Sequence, residues 1–403
     1  MRGAAPGTLR YAGTFGAAWT VFFVFLVAML NYVDRQVLTI LLQSIKRDLH
    51  LSDTQLGLLT GPAFAICFAL AGLPLAFLAE RRSRKLVILL SLAFWSICTA
   101  AIGAVQTFSQ LLAARMLVAV GEAGSAPASQ SMLGDLYPHG RRAGPMAIFS
   151  ASVSVGLLIA LTAGGLLDAA MGWRMAFVVV GLPGLALTLV LAVVLKEPRS
   201  SEPARPDRHP ALLAGLRQLW AIRAYRGIVI GAAFHLVAAS ALSQWIAAYL
   251  MRAFSLGARD VGLPLGLLVG CIGGIATVAG GILADRLALR RPQWLAWLPA
   301  IAMVAGVPLA LSVFWASSFQ SALLLLVVPV IAVTAYTGPL LAAVQFLAPP
   351  GLRTLAAGLM MLVGGVFGQA LGPLLVGFIS DQLGPVAGAA SLRWALAAAM
   401  PVS

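Results

Sequence analysis

Apolar runs near 20 residues long recur along the whole chain, and that pattern decides what it can fold into. A run of this length crosses the hydrocarbon core of a bilayer as a helix. In lipid every backbone N–H and C=O must be satisfied inside the chain, so such runs form helices. Of the 403 residues, 61% are hydrophobic and 10% charged, against about 25% charged in a soluble domain. The expectation is an all-α membrane protein. Span 1 covers Phe15 to Leu42, span 2 Thr54 to Leu78, span 3 Leu86 to Val105 and span 4 Ser109 to Leu133. Span 5 runs from Ala143 to Leu167 and span 6 from Met175 to Leu195. A polar, proline-bearing linker, 196–226, separates a first unit, 1–195, from a second, 227–403. Span 7 is Gly227 to Met251, span 8 Val261 to Leu283, span 9 Trp294 to Trp315, span 10 Phe319 to Phe346 and span 11 Thr354 to Ile379. A twelfth begins near Leu392 and stops at Ser403, too short to cross, so helix 12 reads as incomplete.

The net charge of +14 invites a nucleic-acid reading, but its placement argues otherwise. With the N-terminus inside, nineteen of the Lys and Arg residues fall in inner segments and six in outer ones. That excess orients a multi-pass protein in the cytoplasmic (inner) membrane with a cytoplasmic N-terminus. The first apolar run is too long for a cleavable signal. Cys67, Cys98 and Cys271 all lie in apolar runs and read as buried free thiols, not a disulfide or metal framework.

The two units repeat. Gly57, Gly61, Ala65 and Ala69 of span 2 lie at one constant offset from Gly262, Gly266, Gly270 and Gly274 of span 8. Small residues at every fourth position let helix backbones approach closely. The same offset carries Glu80-Arg81 onto Asp285-Arg286, each pair opening an inner loop. Ordinary positive-inside charge explains the arginines. Recurrence of the acid-Arg pair at the repeat offset favours an inner gate, made of Glu80, Arg81, Arg84, Asp285 and Arg286.

Four charges stand inside spans, where each costs several kcal/mol unless it faces a partner or a wet cavity. Asp34 and Arg35 are neighbours in span 1, about 100° apart on a helix, so they face different directions. Arg115 and Glu122 lie two turns apart in span 4. At 1.5 Å per residue the two pairs overlap in depth, so Arg35 with Glu122, and Asp34 with Arg115, are both allowed. The plain reading is a structural ion-pair lock. The functional one is a proton-coupling cluster in a cavity. Gly121 and Gly124 beside Glu122 are read as leaving room for water, and Pro127 as bending span 4. Asn31, Tyr32, His235 and Gln244 are secondary cavity candidates. No His-Glu-x-x-His, no Gly-x-Ser-x-Gly and no paired cysteine spacing occurs, so no enzyme, metal or cofactor is expected.

These features resemble a family. Twelve spans in two similar halves, with acid-Arg loops after spans 2 and 8, look like the major facilitator superfamily. Asn31-Tyr32-Val33-Asp34-Arg35-Gln36, Leu51-Ser52-Asp53-Thr54-Gln55-Leu56-Gly57, Ala114-Arg115 with Val120-Gly121-Glu122-Ala123-Gly124, and Asp135-Leu136-Tyr137-Pro138 look like its Spinster-like branch. The resemblance implies two pseudo-symmetric six-helix bundles and alternating access. It implies proton coupling in some members, lysophospholipid or sphingoid-phosphate substrates in the animal branch, and Asp34, Arg35, Arg115 and Glu122 as functional positions. The expected activity is a monomeric secondary transporter of an amphipathic organic anion or lysolipid, with protons and membrane lipids as further partners. The alternatives are an organic-acid or drug exporter, or an inactive remnant. In the linker, Pro198 to Pro210 reads as irregular, and Ala211 to Trp220 as a short amphipathic helix on the membrane surface.

Overall fold

Among the residues described in the computed structural model (14–81, 83–137, 143–197 and 212–402) every element is helical. The order is α1 (Thr14–Leu49), α2 (Asp53–Thr60), α3 (Pro62–Arg81), α4 (Arg84–Ile102), α5 (Phe108–Glu122), α6 (Ser125–Leu136) and α7 (Ala143–Val194). There follow α8 (Leu212–Ala221), α9 (Arg223–Phe254), α10 (Ala258–Gly266), α11 (Gly273–Ala288), α12 (Trp294–Val313), α13 (Phe319–Ala335) and α14 (Thr337–Leu347). The last are α15 (Arg353–Val363), α16 (Ala370–Ala387) and α17 (Ser391–Ala399). π-helical turns at Leu267–Ile272 and Gly364–Gln369 join α10 to α11 and α15 to α16.

Among the described residues nine helices are long and apolar enough to cross a membrane, and two of these fold back on themselves. The 52 residues of α7 would make a straight rod of about 78 Å, over twice the thickness of the hydrocarbon core. The chain turns instead at Gly172, where φ is +78°, a conformation open to glycine. Spans 5 and 6 are thus the two arms of α7. The stretch Leu355–Val402 turns likewise at Gly388, φ +52°. Span 4 is not among the nine because it breaks: α5 ends at Glu122 and α6 starts at Ser125. Pro127 has no N–H to offer the Ala123 carbonyl, and the helix is interrupted at Ala123-Gly124, whose backbone nonetheless stays in the right-handed helical region.

Glycines set how the two halves of the chain meet. A Cβ on Gly57 would lie 2.5 Å from the Pro373 carbonyl oxygen, and one on Gly61 would lie 2.6 Å from that of Ala370. On the other seam Gly262 faces the Leu161 carbonyl, Gly270 the Ser154 carbonyl and Gly274 the Ser154 hydroxyl. The repeat read from the sequence is therefore a pair of close helix crossings, α2 on α16 and α10–α11 on the first arm of α7.

Of the linker, 198–211 lies outside the described residues, as do 82 and 138–142. The short helix is present as α8. Its Leu219 is fully buried and Leu216 half-buried, while Arg217 and Trp220 are exposed. The cysteines are free, but only Cys98 is buried as expected. Cys67 is half-buried and Cys271 is exposed on the π-turn, where an apolar thiol can face lipid.

Candidate functional site

Asp34 and Arg35 leave α1 toward different helices, as adjacent residues must. Arg35 reaches α5: its Nη2 lies 3.2 Å and its Nε 3.4 Å from Glu122 Oε2. Asp34 faces α4 and accepts from Thr99 Oγ1 at 3.4 Å. Arg115 does not bond the Asp34 carboxylate, the second pairing the depth count allowed. It donates instead to the backbone carbonyls of Asp34 at 3.4 Å and Arg35 at 3.0 Å. Arg115 thus splints the turn of α1 that carries the other two charges. Asp34, Arg115 and Glu122 are buried, whereas the Arg35 side chain keeps 14% of its surface.

Two aromatic rings of α3 wall the cluster. The Arg35 guanidinium lies 4.6 Å from the Phe64 centroid and 4.8 Å from that of Phe68, with Tyr32 at 5.5 Å. Arg115 lies 4.6 Å from the same Phe64 ring. A cation over a ring face is held electrostatically, by up to about 2 kcal/mol when desolvated. One oxygen of each carboxylate, Glu122 Oε1 and Asp34 Oδ1, is buried without a hydrogen bond. Asn31 approaches Glu122, and Trp95 approaches Asp34, without reaching hydrogen-bond geometry. With both carboxylates ionised the four charges cancel; one cation is partly open and each carboxylate holds acceptor capacity in reserve.

The expected water space beside Glu122 is filled by protein. A Cβ on Gly121 would meet Trp95 and Phe94 at 2.9 Å, and one on Gly124 would meet Ser91 Oγ at 2.6 Å. These glycines let α4 close against α5 and α6. His235 stands away from the charges. It is buried on α9, its ring 4.6 Å from that of Tyr336, and it lines a small apolar cavity of about 30 Å³ with Met303, Gly306 and Pro329. Gln244, also on α9, is half-buried.

Of the inner-gate residues, the side chains of Glu80 and Arg81 lie outside the described residues. Arg84 pairs with Asp135, and its backbone N donates to Glu197 Oε1 at 3.0 Å. Glu197 also accepts from the Lys85 backbone at 2.9 Å and from Ser83 Oγ at 2.5 Å. It closes the N-terminus of α4, where an anion is favoured. Asp285 and Arg286 are exposed at the end of α11, and neither is in any of the ion pairs found among the described residues.

At the opposite end the halves are bolted together by residues that had no assigned role in the sequence, Asp53 among them although it stands in the Leu51–Gly57 stretch that carries the family resemblance. Arg252 of α9 donates to both Asp53 oxygens, at 2.7 and 2.6 Å, and to Gln43 Oε1 at 2.8 Å. Lys46 lies 2.5 Å from the same Asp53 carboxylate, and Ser380 Oγ donates to it at 2.7 Å. Asp381 caps α2, accepting from the backbone of Asp53 at 2.9 Å and of Thr54 at 2.7 Å. We call this the closed end. The signal was an Asp at a helix start and an Arg at a helix end, in segments that pair only across the repeat.

Helices that cross a bilayer, a cluster of two acids and two arginines at mid-span and a seam repeated between two halves define a membrane carrier rather than an enzyme. The chain belongs to the Major Facilitator Superfamily, whose pattern it matches over residues 24–373. It is similar to an MFS-type efflux pump of Mycolicibacterium smegmatis, 36% identical over 372 residues, covering 92% of this chain and 86% of the relative. It is also similar to a probable galactarate/D-glucarate transporter of Bacillus subtilis, 27% identical over 400 residues, covering 92% of this chain and 87% of the relative. A solved bacterial homologue of the human lysosomal transporter Spinster, inward-facing and unoccupied, has TM-score 0.87 and 26% identity over 97% of this chain and 95% of that one.

Proposed function

We propose that the protein is a secondary transporter of an amphipathic organic anion or lysolipid, working by alternating access and coupled to protons. The observation that carries this reading is Arg35. It is the partly open cation of a buried cluster, set against three aromatic rings and paired to Glu122. The charged group of the substrate pairs with Arg35 while its apolar part lies along Phe64, Phe68 and Tyr32. An arriving anion leaves Glu122 without its partner and the cluster one charge negative. A proton on Glu122 restores neutrality, the state a membrane interior tolerates. Anion and proton therefore bind with mutual help, and linkage makes that help reciprocal. Asp34 is the second candidate for the proton.

In this scheme units 1–195 and 227–403 rock about the 196–226 linker. The excess of Lys and Arg on the N-terminal side sets the closed end outward and the N-terminus in the cytoplasm. Glu80, Arg81, Arg84, Asp285 and Arg286 close the other end when the closed end parts. Asn31, Tyr32 and Gln244 complete the cavity. A second reading, an organic-acid or drug exporter, is favoured by the efflux-pump relative.

The test is Glu122→Gln in proteoliposomes, with uptake and binding of a glucarate and lysophospholipid panel followed across pH. The expected result is a loss of the pH dependence seen in the unmodified protein. If Glu122→Gln and Asp34→Asn both keep that dependence, the cluster is a structural lock.

A further inference from the structure

The closed end is more than a bolt. Above it lies an open vestibule of about 990 Å³, lined among others by Gln43, Lys46, Arg47, Asp53, Arg252 and Asp381. Its two carboxylates are not equivalent. Asp381 is committed to the N-terminus of α2, where the helix dipole holds it. That leaves one buried carboxylate, Asp53, facing two cations, Lys46 and Arg252, with Arg47 lining the same space. The Lys46 and Arg252 side chains keep 30% and 20% of their surface, so both are reached from the vestibule. Gln43 adds a donor: its residue is 7% exposed, its oxygen is taken by Arg252, and its Nε2 has no partner.

We propose that this vestibule is a receiving site for an anionic group, a carboxylate or a phosphate, and that the group opens the closed end by taking Arg252 and Lys46 from Asp53. The inference rests on the transporter reading above. Pulling the halves apart without a replacement would take Arg252 from its bidentate partner and leave both groups of a largely buried pair short of hydrogen bonds, and a buried pair broken on one side is penalised. An incoming anion removes that penalty, because Arg252 trades one bidentate carboxylate for another group of the same geometry. As the halves part, Asp53 stays on the same half as Lys46, so the ammonium, shared with the anion, remains within its reach. The bolt then yields to cargo-like chemistry and resists neutral solutes.

The experiment measures the distance between spin labels at Gln106→Cys and Ser317→Cys, exposed positions in loops of the two halves at this end, with Cys67, Cys98 and Cys271 replaced by Ser. Glucarate and oleoyl lysophosphatidate are the probes. Glucitol and monooleoyl glycerol are the neutral controls, at matched ionic strength. The expected result is a longer-distance population with at least one anion and with neither control; which anion works separates a soluble acid from a lipid headgroup. Arg47→Gln, which leaves the Asp53 bolt intact, should raise the anion concentration needed about tenfold without changing the resting distance. Asp53→Asn should show the longer distance with no anion present. No separation with either anion, or separation with the controls as well, overturns the proposal. Uptake assayed on the same samples tells the two readings apart: transport without anion-driven separation removes only this inference. Separation without transport removes only the function.

Discussion

Gly57→Ala tests whether the glycine seams hold the closed end shut. The new Cβ would lie 2.5 Å from the Pro373 oxygen and 3.0 Å from Leu374 Cα. Ordinary contact needs about 3.4 Å or more, so α2 and α16 must separate by roughly 1 Å, and backbone cannot rotate away as a side chain does. Forcing a methyl into a filled contact costs about 1–3 kcal/mol. In alternating access that cost falls only on the state in which the seam is closed. The population therefore shifts toward the open arrangement by roughly 5–150-fold. Gly72→Ala is the control, since a Cβ there meets nothing within 4 Å while carrying the same gain in helix propensity. The assay is the Gln106–Ser317 label distance in the absence of substrate. Identical distributions for Gly57→Ala and Gly72→Ala would show that the seam does not set the equilibrium, and the steric argument would fail.

Other outcomes follow from single contacts. Phe64→Leu removes the ring shared by Arg35 and Arg115; substrate affinity should fall about 2- to 30-fold, by roughly 0.5–2 kcal/mol, as read by titration calorimetry, and an unchanged affinity would exclude the ring from the site. Glu197→Gln weakens the cap on α4 and should cost about 0.5–2 kcal/mol, seen as a lower melting temperature in detergent with the substrate affinity retained. Leu219→Glu places a charge in the fully buried contact of α8 and should release that helix, so limited proteolysis at Arg217 should speed several-fold; equal rates would mean α8 is not held by this residue.

Sequence periodicity was informative wherever one residue type contrasts with its surroundings. Charges in an apolar run stand out, and helix rise allowed two pairings by depth, of which Arg35 with Glu122 forms while Asp34 with Arg115 does not. Glycines at every fourth position identified both seams. Where contrast was missing, so was the reading. Phe64 and Phe68 are apolar residues in an apolar span, and nothing marks them as the walls of a charge cluster. Asp53 and Arg252 lie far apart in sequence, each with an ordinary helix-end role, and their contact needs the tertiary fold. Polarity alone drew His235 into the cavity list, although its surroundings are an apolar pocket on the other half. Gly121 and Gly124 were misassigned because a missing side chain can mean space or contact, and spacing does not distinguish the two.

The seams have a consequence for how such a chain can drift. Gly57, Gly61 and Gly262 touch the backbone oxygens of Pro373, Ala370 and Leu161 rather than their side chains. A peptide oxygen is the same whatever residue carries it. Mutational tolerance should therefore be lopsided across each crossing: fixed in size at the three glycines and far more permissive in identity at the residues opposite. Relatives that share this fold can then replace most of one helix and keep the crossing intact.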